Sequence, residues 1–373
     1  MKLNVRSLCS FPDSKRLRLI LGAALLLFGE FFIAVSSGRP GEVPSITREL
    51  HWAVTPEKFE LALERLRSSS KVRRRTPVVL SHGFFVNNLF LNLDEEHSLA
   101  RYLAEEGFDV WNLSLRGIGR SLNPLRGEPK SWGLDDMIDT DLSTVVRYIQ
   151  KETGSPKIAW VGYDMGGLLL YGYAERKGGA GLAAGVAIAA PVTFHHPEQG
   201  PIKNLLKLQE RPTLKNLFLR LNGPFLGRLL IPLIPQIGKL FYNPDNLDDE
   251  TQEKWLEEAL AEINPGVLDH LLLMIEKGEF VAAKGNFNYR KNLARIRLPL
   301  LLIGGENDAL APPEAMRVVH QGIASADRTL RIFGPRARDS AAYGHVDLIL
   351  GRKARTEVFP VIGRWLQQRD GSR

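Results

Sequence analysis

The sequence has almost no cysteine, which excludes two common ways of stabilising a fold. Its 373 residues contain one cysteine, Cys9, which precedes the part of the chain that is predicted to fold. The folded part can therefore hold neither a disulfide nor a cluster of thiolate metal ligands. Its stability must come from packing, and a composition of 44% apolar and 24% charged residues is typical of a globular protein.

Motifs that bind metals, phosphates, dinucleotides and nucleic acids are also missing. The eight histidines do not pair with acidic partners at the spacing of a metal-binding helix, and His195-His196 is interpreted as a loop. Gly117-Ile118-Gly119 lacks the third glycine of a dinucleotide-binding motif. No nucleic-acid motif accompanies the basic residues. We therefore expect no metal, no cofactor and no nucleic-acid partner.

The net charge of +7 is concentrated near the N-terminus. Residues 1–40 contain six Lys or Arg against Asp13 and Glu30, a balance of +4 that leaves +3 for the remaining chain. An excess this small outside the first forty residues gives no reason to expect an anionic partner for the folded part. The basic residues near the N-terminus instead belong to a targeting pattern.

An apolar run from Leu19 to Val35 follows these basic residues and is interrupted only by glycines and Glu30. As a helix it would extend about 25 Å, slightly less than the roughly 30 Å hydrocarbon core of a membrane. Ala34 and Ser36 have the spacing of small residues before a signal cleavage site. Residues 1–38 are thus predicted to be a cleaved signal sequence or a retained membrane anchor, with a hydrophobic cytosolic helix as a third interpretation. In the first two cases the domain is secreted or membrane-anchored on the non-cytoplasmic side.

Short apolar segments rich in β-branched residues alternate with segments of helical spacing. Strands that are apolar on both faces and alternate with helices form a mostly parallel sheet, so we predict an α/β fold with helices flanking that sheet. Before it, Ile46–Val54 and Phe59–Leu66 predict an antiparallel hairpin at the sheet edge. The strands predicted for the parallel part are Pro77–Ser81, Val110–Leu115, Ile158–Gly162, Gly185–Ala190, Leu298–Gly304 and Thr329–Phe333.

This alternation stops between about residues 194 and 285. The block is helix-like, contains several prolines and is strongly apolar from Leu214 to Phe241. It predicts a helical cap inserted into a domain of residues 45–373, above the strand ends. The apolar faces of such a cap can pack together, line a pocket for a hydrophobic substrate or contact a membrane.

The segment Trp160–Gly167 ends a predicted strand and begins an apolar helix. It matches the G-x-S-x-G nucleophile elbow except at the serine, where this chain has Asp164. The central residue of an elbow has a strained backbone, and the glycines beside it leave room for the neighbouring strand and helix. Asp164 is therefore the candidate nucleophile.

Two further candidates follow in the order nucleophile, acid, histidine. Asp308 lies in the loop after the strand Leu298–Gly304, where a carboxylate can orient a histidine. His345 follows the last predicted strand. Taken singly, a loop Asp more often caps a helix and a lone His is more often structural, but three such residues in this order at three strand ends predict a catalytic triad.

Backbone N–H groups near the elbow are candidates for an oxyanion hole. Phe84 and Phe85 directly follow the strand Pro77–Ser81 and the pair His82-Gly83. The N–H of either residue can act together with that of Met165 to stabilise a developing negative charge.

From about His51 to Leu366 the sequence resembles the acid-lipase and polyhydroxyalkanoate-synthase branch of the α/β-hydrolases. The resemblance implies an α/β-hydrolase fold and a hydrophobic or lipid-like substrate. That branch has serine or cysteine at the elbow, commonly after a histidine, whereas this chain has Tyr163 and Asp164. The segments that carry the resemblance are His51–Pro56, Val78–Gly83, Asp109–Trp111, Leu115–Gly117, Trp132 with Asp136 and Asp141, and Gly344-His345 with Asp347.

An aspartate at the elbow resembles the epoxide hydrolases and haloalkane dehalogenases of this fold. That likeness implies that Asp164 attacks a saturated carbon to form an alkyl-enzyme ester, which is hydrolysed by water that His345 activates. Those families usually have tryptophan where this chain has Met165, and epoxide hydrolases usually have proline at the position of Phe85. Tyr242 is the one tyrosine between Phe194 and Phe280 that is available to activate an epoxide.

Three functions are compatible with the sequence. The first is a hydrolase in which Asp164 attacks an epoxide, an alkyl halide or a similar electrophile. The second is a lipase-like protein that lost acyl transfer and now binds or scaffolds. The third is an esterase, lipase or acyltransferase in which the aspartate acts as a base toward water. The sequence indicates no oligomeric state.

Overall fold

The computed structural model describes residues 45–69, 72–121, 131–196, 227–229, 231–232 and 235–371. The chain divides into two units, Met1–Val43 and Pro44–Arg373. The predicted signal sequence or anchor, residues 1–38, lies outside the described residues, as does the part of the predicted cap in residues 197–226. Within the ranges above, no helix is both long and apolar enough to cross a membrane.

One mixed sheet of eight strands forms the centre of the second unit, in the order β1-β2-β4-β3-β5-β6-β7-β8. The pairs β1–β2 and β2–β4 are antiparallel, and all the others are parallel. The predicted α/β fold with a mostly parallel sheet is therefore confirmed. The strands are β1 (Ile46–Val54), β2 (Glu60–Ser68), β3 (Val78–Ser81), β4 (Val110–Leu113), β5 (Ile158–Tyr163), β6 (Leu182–Ile188), β7 (Leu300–Gly305) and β8 (Arg328–Phe333).

The helices of this unit are α1 (Leu99–Glu105), α2 (Leu142–Thr153), α3 (Met165–Lys177), α4 (Pro235–Phe241), α5 (Asp249–Lys254), α6 (Pro265–Lys277), α7 (Tyr289–Asn292), α8 (Pro313–Gly322), α9 (Asp347–Leu350) and α10 (Ala354–Gln367). Four of the helices, α1, α2, α3 and α8, pack directly against the sheet, and the others lie around them or in the predicted cap. Shorter helical turns are Asn88–Leu91, Leu134–Asp136, Leu293–Arg295 and Pro335–Ala337, and π-helical turns are Met137–Asp141 and Trp255–Ala259. The described part of the predicted cap is thus helical.

The hairpin β1–β2 lies at one edge of the sheet, as predicted, and β2 begins one residue later than the sequence indicates. Its turn is closed because the N–H of Thr55 donates to the carbonyl of Phe59 at 2.8 Å and that of Lys58 to Thr55 at 2.9 Å. The opposite edge strand, β8, is partly exposed. The prediction of strands buried on both faces is therefore right for β3 to β7 and wrong for β8, because an edge strand has a neighbour on one side only.

Strand β6 differs most from its predicted bounds. It begins at Leu182 rather than Gly185 and ends at Ile188. The strand stops there because Ala189 takes a left-handed backbone conformation with φ 51°, which breaks the extended ladder. This turn lies beside the elbow, since the N–H of Asp164 donates to the carbonyl of Ile188 at 2.8 Å.

The buried strands β3, β5 and β7 bring their carboxyl ends to one edge of the sheet. Parallel strands end at the same edge, and this edge is the usual binding place in open α/β sheets. The chain continues from these strands into the loops that contain Phe84, Asp164 and Asp308. His345 lies in the loop that follows β8.

Candidate active site

Asp164 occupies a sharp turn between β5 and α3. Its backbone angles are φ 49° and ψ −111°, a conformation that is strained for a residue with a side chain. Two glycines make the turn possible. A Cβ on Gly162 would lie 2.2 Å from the backbone of Gly166, and one on Gly166 would lie 2.3 Å from the carbonyl oxygen of Ser81. The local sequence thus forms an elbow for steric reasons.

The carboxylate of Asp164 lies on the backbone of the β3 loop. The N–H of Phe84 donates to its Oδ2 at 2.9 Å. Burial raises the pKa of Asp164, while the positive charge of His345 and the N–H groups of Phe84 and Met165 oppose this rise. The side chain keeps partial access to solvent. The two N–H groups predicted to form an oxyanion hole therefore act on the aspartate itself.

The loop that carries Phe84 is held by its neighbours. His82 is buried, and its Nε2 accepts from the N–H of Leu115 at 3.0 Å while its Nδ1 contacts the carbonyl oxygen of Gly83 at 3.1 Å. Burial lowers the pKa of His82 to about 4, so the ring is neutral with its proton on Nδ1. His82 therefore fixes this loop to the end of β4, a role that the sequence analysis missed because the pair His82-Gly83 only marks a turn.

Phe85 has a different place from Phe84. It adopts a left-handed backbone conformation with φ 58°, and its carbonyl accepts from the N–H of Ala261 at 2.8 Å. Asn87 adds a second bond, because its N–H donates to the carbonyl of Ala259 at 2.9 Å. The structure thus places Phe84 on the carboxylate and uses Phe85 to attach the loop to the cap.

Asp308 and His345 form a hydrogen-bonded pair, with 2.9 Å between Oδ2 of Asp308 and Nδ1 of the imidazole. The second carboxylate oxygen of Asp308 accepts from the N–H groups of Leu310 and Ala311, at 2.9 and 2.8 Å. Both oxygens are thus used, so the carboxylate caps its own loop and orients the histidine at once. With Nδ1 engaged, Nε2 is the ring nitrogen that can take a proton from water.

His345 is 5% exposed, and its charge state is set by the carboxylates near it. Burial alone lowers the pKa of His345. The charge and hydrogen bond of Asp308, followed by the charge of Asp164, outweigh burial and raise the pKa above its ordinary value of 6.5. The ring is therefore a stronger base than a histidine in water.

Tyr163 packs beside this histidine. The centroid of its ring lies 5.1 Å from that of His345 and 4.6 Å from that of Phe90. Its hydroxyl donates to the carbonyl of His345 at 3.3 Å. Burial and the charge of Asp164 raise the pKa of Tyr163 well above its ordinary value, so the hydroxyl stays protonated. The sequence showed only that a tyrosine replaces the histidine common in the branch that it resembles.

Tyr242, the tyrosine of the cap, contacts other residues of the cap. Its hydroxyl donates to Oε1 of Gln252 at 2.8 Å, and its ring lies edge-on to that of Trp255 at 6.2 Å. The structure therefore gives this hydroxyl a hydrogen-bond partner within the cap. In the described part of the chain, no group of three or more His, Cys, Asp or Glu side chains is arranged so that it could hold a metal ion.

Asp164, Asp308 and His345 thus come together from three separate loops at one sheet edge. The fold around them resembles solved structures. A thermophilic esterase from Thermogutta terrifontis superposes with a TM-score of 0.60 at 22% identity, over 86% of this chain and 99% of that one. At this identity the likeness concerns the fold alone.

Comparison of the sequences identifies relatives along most of the chain. It is 24% identical to triacylglycerol lipase 1 of Arabidopsis thaliana, over 83% of this chain and 84% of that protein. It is 25% identical to lipase member K of Mus musculus, over 86% and 88%, and 22% identical to the poly(3-hydroxyalkanoate) polymerase subunit PhaC of Haloferax mediterranei, over 85% and 63%. The family model for the alpha/beta hydrolase fold matches residues 76–335, more than half of the chain. The chain therefore belongs to the α/β-hydrolase fold family.

Proposed function

We propose that the chain is a hydrolase of hydrophobic, lipid-like molecules in which Asp164 is the nucleophile and attacks a saturated carbon. One observation carries the proposal, namely the 2.9 Å hydrogen bond from the N–H of Phe84 to Oδ2 of Asp164. A carboxylate held by one oxygen keeps the other, Oδ1, for attack. The names of the lipase relatives support a lipid-like substrate.

In the first step, Oδ1 attacks a carbon that carries a halide or an epoxide oxygen. The new C–O bond forms as the bond to the leaving group breaks, and the leaving group departs with the electron pair. A halide leaves as an anion, whereas an epoxide oxygen becomes an alkoxide that takes a proton from solvent water. The product of this step is an alkyl ester of Asp164.

In the second step, Nε2 of His345 takes a proton from water, and the resulting hydroxide attacks Cγ of Asp164. Negative charge then develops on Oδ2, which already accepts from Phe84. The N–H of Phe84 therefore stabilises this charge without rearrangement. The intermediate collapses, and the departing alkoxide takes the proton from His345 and leaves as the alcohol. Asp164 is left as a carboxylic acid that contains one oxygen from water, and it loses its proton to solvent.

Ester hydrolysis of the lipase type is the second candidate, and the identity to lipases along most of the chain favours it. In that reaction Asp164 acts as a base toward water. The carbonyl oxygen of an ester requires the N–H of Phe84, which already donates to Oδ2 of Asp164. Attack by the carboxylate itself would give a mixed anhydride. Both arguments favour the attack on saturated carbon.

A single-turnover reaction in isotopically labelled water separates the candidates. With enzyme in excess, the proposal predicts that the product oxygen is unlabelled and that mass spectrometry finds the label in the peptide that contains Asp164. Direct attack by water on an ester instead puts the label into the product and none into Asp164. The substrates are long-chain epoxides, haloalkanes and nitrophenyl esters.

Variants of Asp164 complete this test. Asp164→Ala should abolish turnover of the epoxide or halide. A wild-type protein inert on all three substrate classes, with esterase activity gained in Asp164→Ser, would contradict the proposal and favour a binding or scaffolding protein. Secretion or membrane anchoring through residues 1–38 remains a prediction from the sequence.

A further inference from the structure

The cap is attached to the loop that carries His345. This attachment uses the segment Phe241–Asn246, which follows helix α4 and which we call the cap strap. The carbonyl of Phe241 accepts from the N–H of Val346 at 2.8 Å, and the side-chain amide of Asn243 donates to the carbonyl of Ala342 at 2.8 Å. These bonds attach the strap to residues that precede and follow His345 in the chain.

A buried carboxylate, Asp347, is the centre of this attachment. It is 0% exposed and lies two residues after His345. Its Oδ1 accepts from the N–H of Asn243 at 3.2 Å, and its Oδ2 accepts from Nδ2 of Asn246 at 3.0 Å. The same Oδ2 accepts from the N–H of Gly344 at 3.0 Å. One carboxylate thus joins the cap strap to the peptide that directly precedes His345.

Two glycines allow the close approach that this network needs. A Cβ on Gly344 would lie 2.8 Å from Oδ1 of Asp347 and 3.0 Å from Cα of Tyr242. A Cβ on Gly351 would lie 2.8 Å from Nδ2 of Asn246. The space beside Asp347 is therefore filled by the strap, and glycine is required where the strap meets the histidine loop.

We infer that Asn246, a residue of the cap, is a positioning residue for His345 and acts through Asp347. The inference rests on the proposed function, in which His345 activates water. A buried carboxylate that loses a donor is costly and rearranges or takes up a proton. Either change releases the N–H of Gly344. The loop that carries His345 then shifts, and Nε2 of His345 moves relative to the water that it activates. The contact between the cap strap and Asp347 thereby determines the position of His345, the general base.

The titratable groups around His345 define what a change at Asn246 should do. They are Asp308 from the loop after β7, Asp164 from the elbow, Tyr163 from β5 and Asp347 from the histidine's own loop. Burial raises the pKa of Asp347 to about 6, and its hydrogen-bond donors, Asn246 among them, oppose this rise. Removal of the Asn246 amide therefore raises the pKa of Asp347. A protonated Asp347 no longer raises the pKa of His345, which falls.

The first test needs no substrate. The imidazole of His345 is titrated by NMR in the full-length chain, with His345→Gln to assign its signal. We expect Asn246→Leu to lower the pKa of His345. The matched control is Asn288→Leu, which removes the Nδ2 bond to Glu279 at 2.9 Å away from the histidine loop, and should leave that pKa unchanged. An unchanged pKa in both variants overturns the inference.

Coupling between Asn246 and Asp347 is tested by a double-mutant cycle. If Asn246 acts through Asp347, the variant Asn246→Leu/Asp347→Asn shifts the pKa of His345 no further than Asp347→Asn alone. Additive shifts would show that Asn246 acts by another route. Where Asn246→Leu does not fold, Asn246→Ser keeps a donor on a shorter side chain, and we expect an intermediate shift.

The second test separates the two chemical steps. In Asn246→Leu, hydrolysis of the alkyl-enzyme should slow by about tenfold to a hundredfold, because small misplacements of a catalytic group have effects of that size. Formation of the alkyl-enzyme, which uses no base, should stay within about twofold. Equal slowing of both steps contradicts the inference. Turnover by the wild-type protein without any alkyl-enzyme in His345→Gln overturns the proposed function alone, since the titration still decides the role of Asn246.

Discussion

The backbone N–H of Phe84 donates to Oδ2 of Asp164 over 2.9 Å. In a serine hydrolase this N–H would bind the oxygen of a substrate carbonyl. Here it binds an oxygen of the enzyme's own side chain. In the proposed function, this N–H is preorganised for the charge that develops on Asp164 when an ester of that residue is hydrolysed.

Replacement of Asp164 by asparagine tests its two roles together. Asp164→Asn keeps the shape of the side chain and removes the charge, so turnover should fall by about a thousandfold or more. The pKa of His345 should also fall, because the charge of Asp164 helps to raise it. NMR titration and product assays measure the two effects. Asp249→Asn, at an exposed position of helix α5 outside the cap strap, is the control, and an equal effect there would contradict the account.

The two steps should respond to pH in different ranges. Asp164 must be ionised to attack, and its pKa is raised above 3.8, so alkyl-enzyme formation is lost as the pH falls through that raised value. His345 must be neutral to activate water, and its pKa is raised above 6.5, so hydrolysis of the intermediate increases as the pH rises through it. Rapid-quench measurements of each step resolve the two limbs. Asp308→Asn removes the charge that does most to raise the pKa of His345 against the effect of burial. The pH dependence of hydrolysis should therefore move to lower pH. If it does not move, the titration belongs to a group other than His345.

Loss of one partner of the buried ion pair between Arg116 and Asp141 should destabilise the fold. Nε of Arg116 donates to Oδ2 of Asp141 at 3.0 Å, and the two residues are 5% and 1% exposed. Arg116→Met leaves the carboxylate buried without its partner, which should cost about 3–5 kcal/mol of unfolding free energy. The control Arg101→Met, whose pair with Glu105 at 2.9 Å is partly exposed, should cost less than about 1 kcal/mol. Urea denaturation gives both values.

The pH dependence of this pair has a definite sign. Burial raises the pKa of Asp141 to about 6, and Arg116 opposes the rise. A carboxyl whose pKa is higher in the folded state binds protons preferentially there, so its contribution to stability falls as the pH rises from about 4 to about 6. The cost of Arg116→Met should therefore shrink at low pH, where Asp141 is protonated. A cost independent of pH would contradict this assignment.

The sequence predicts the elements whose causes are local. Apolar strands, the order of Asp164, Asp308 and His345, and the glycines around the elbow follow from periodicity and steric demand over a few residues. The contact between Asn246 and Asp347 spans 101 positions of the chain and depends on how the cap packs, which no local pattern contains. The contact between Tyr163 and His345 could not be predicted for the same reason. Strand β6 ends earlier than predicted because Ala189 has a left-handed backbone conformation. Alanine seldom adopts this conformation, so the sequence does not predict it.

The central claim is that Asp164 forms a covalent ester with its substrate. His345→Gln removes the base for the second step and leaves the first intact, so the ester should accumulate. Intact-protein mass spectrometry after incubation with a long-chain epoxide or haloalkane measures it, with Asp164→Ala/His345→Gln as the control. The account predicts an added mass equal to the whole epoxide, or to the haloalkane less the hydrogen halide, located on the peptide that contains Asp164 and absent from the control. Turnover by the wild-type protein without any adduct in His345→Gln would contradict it.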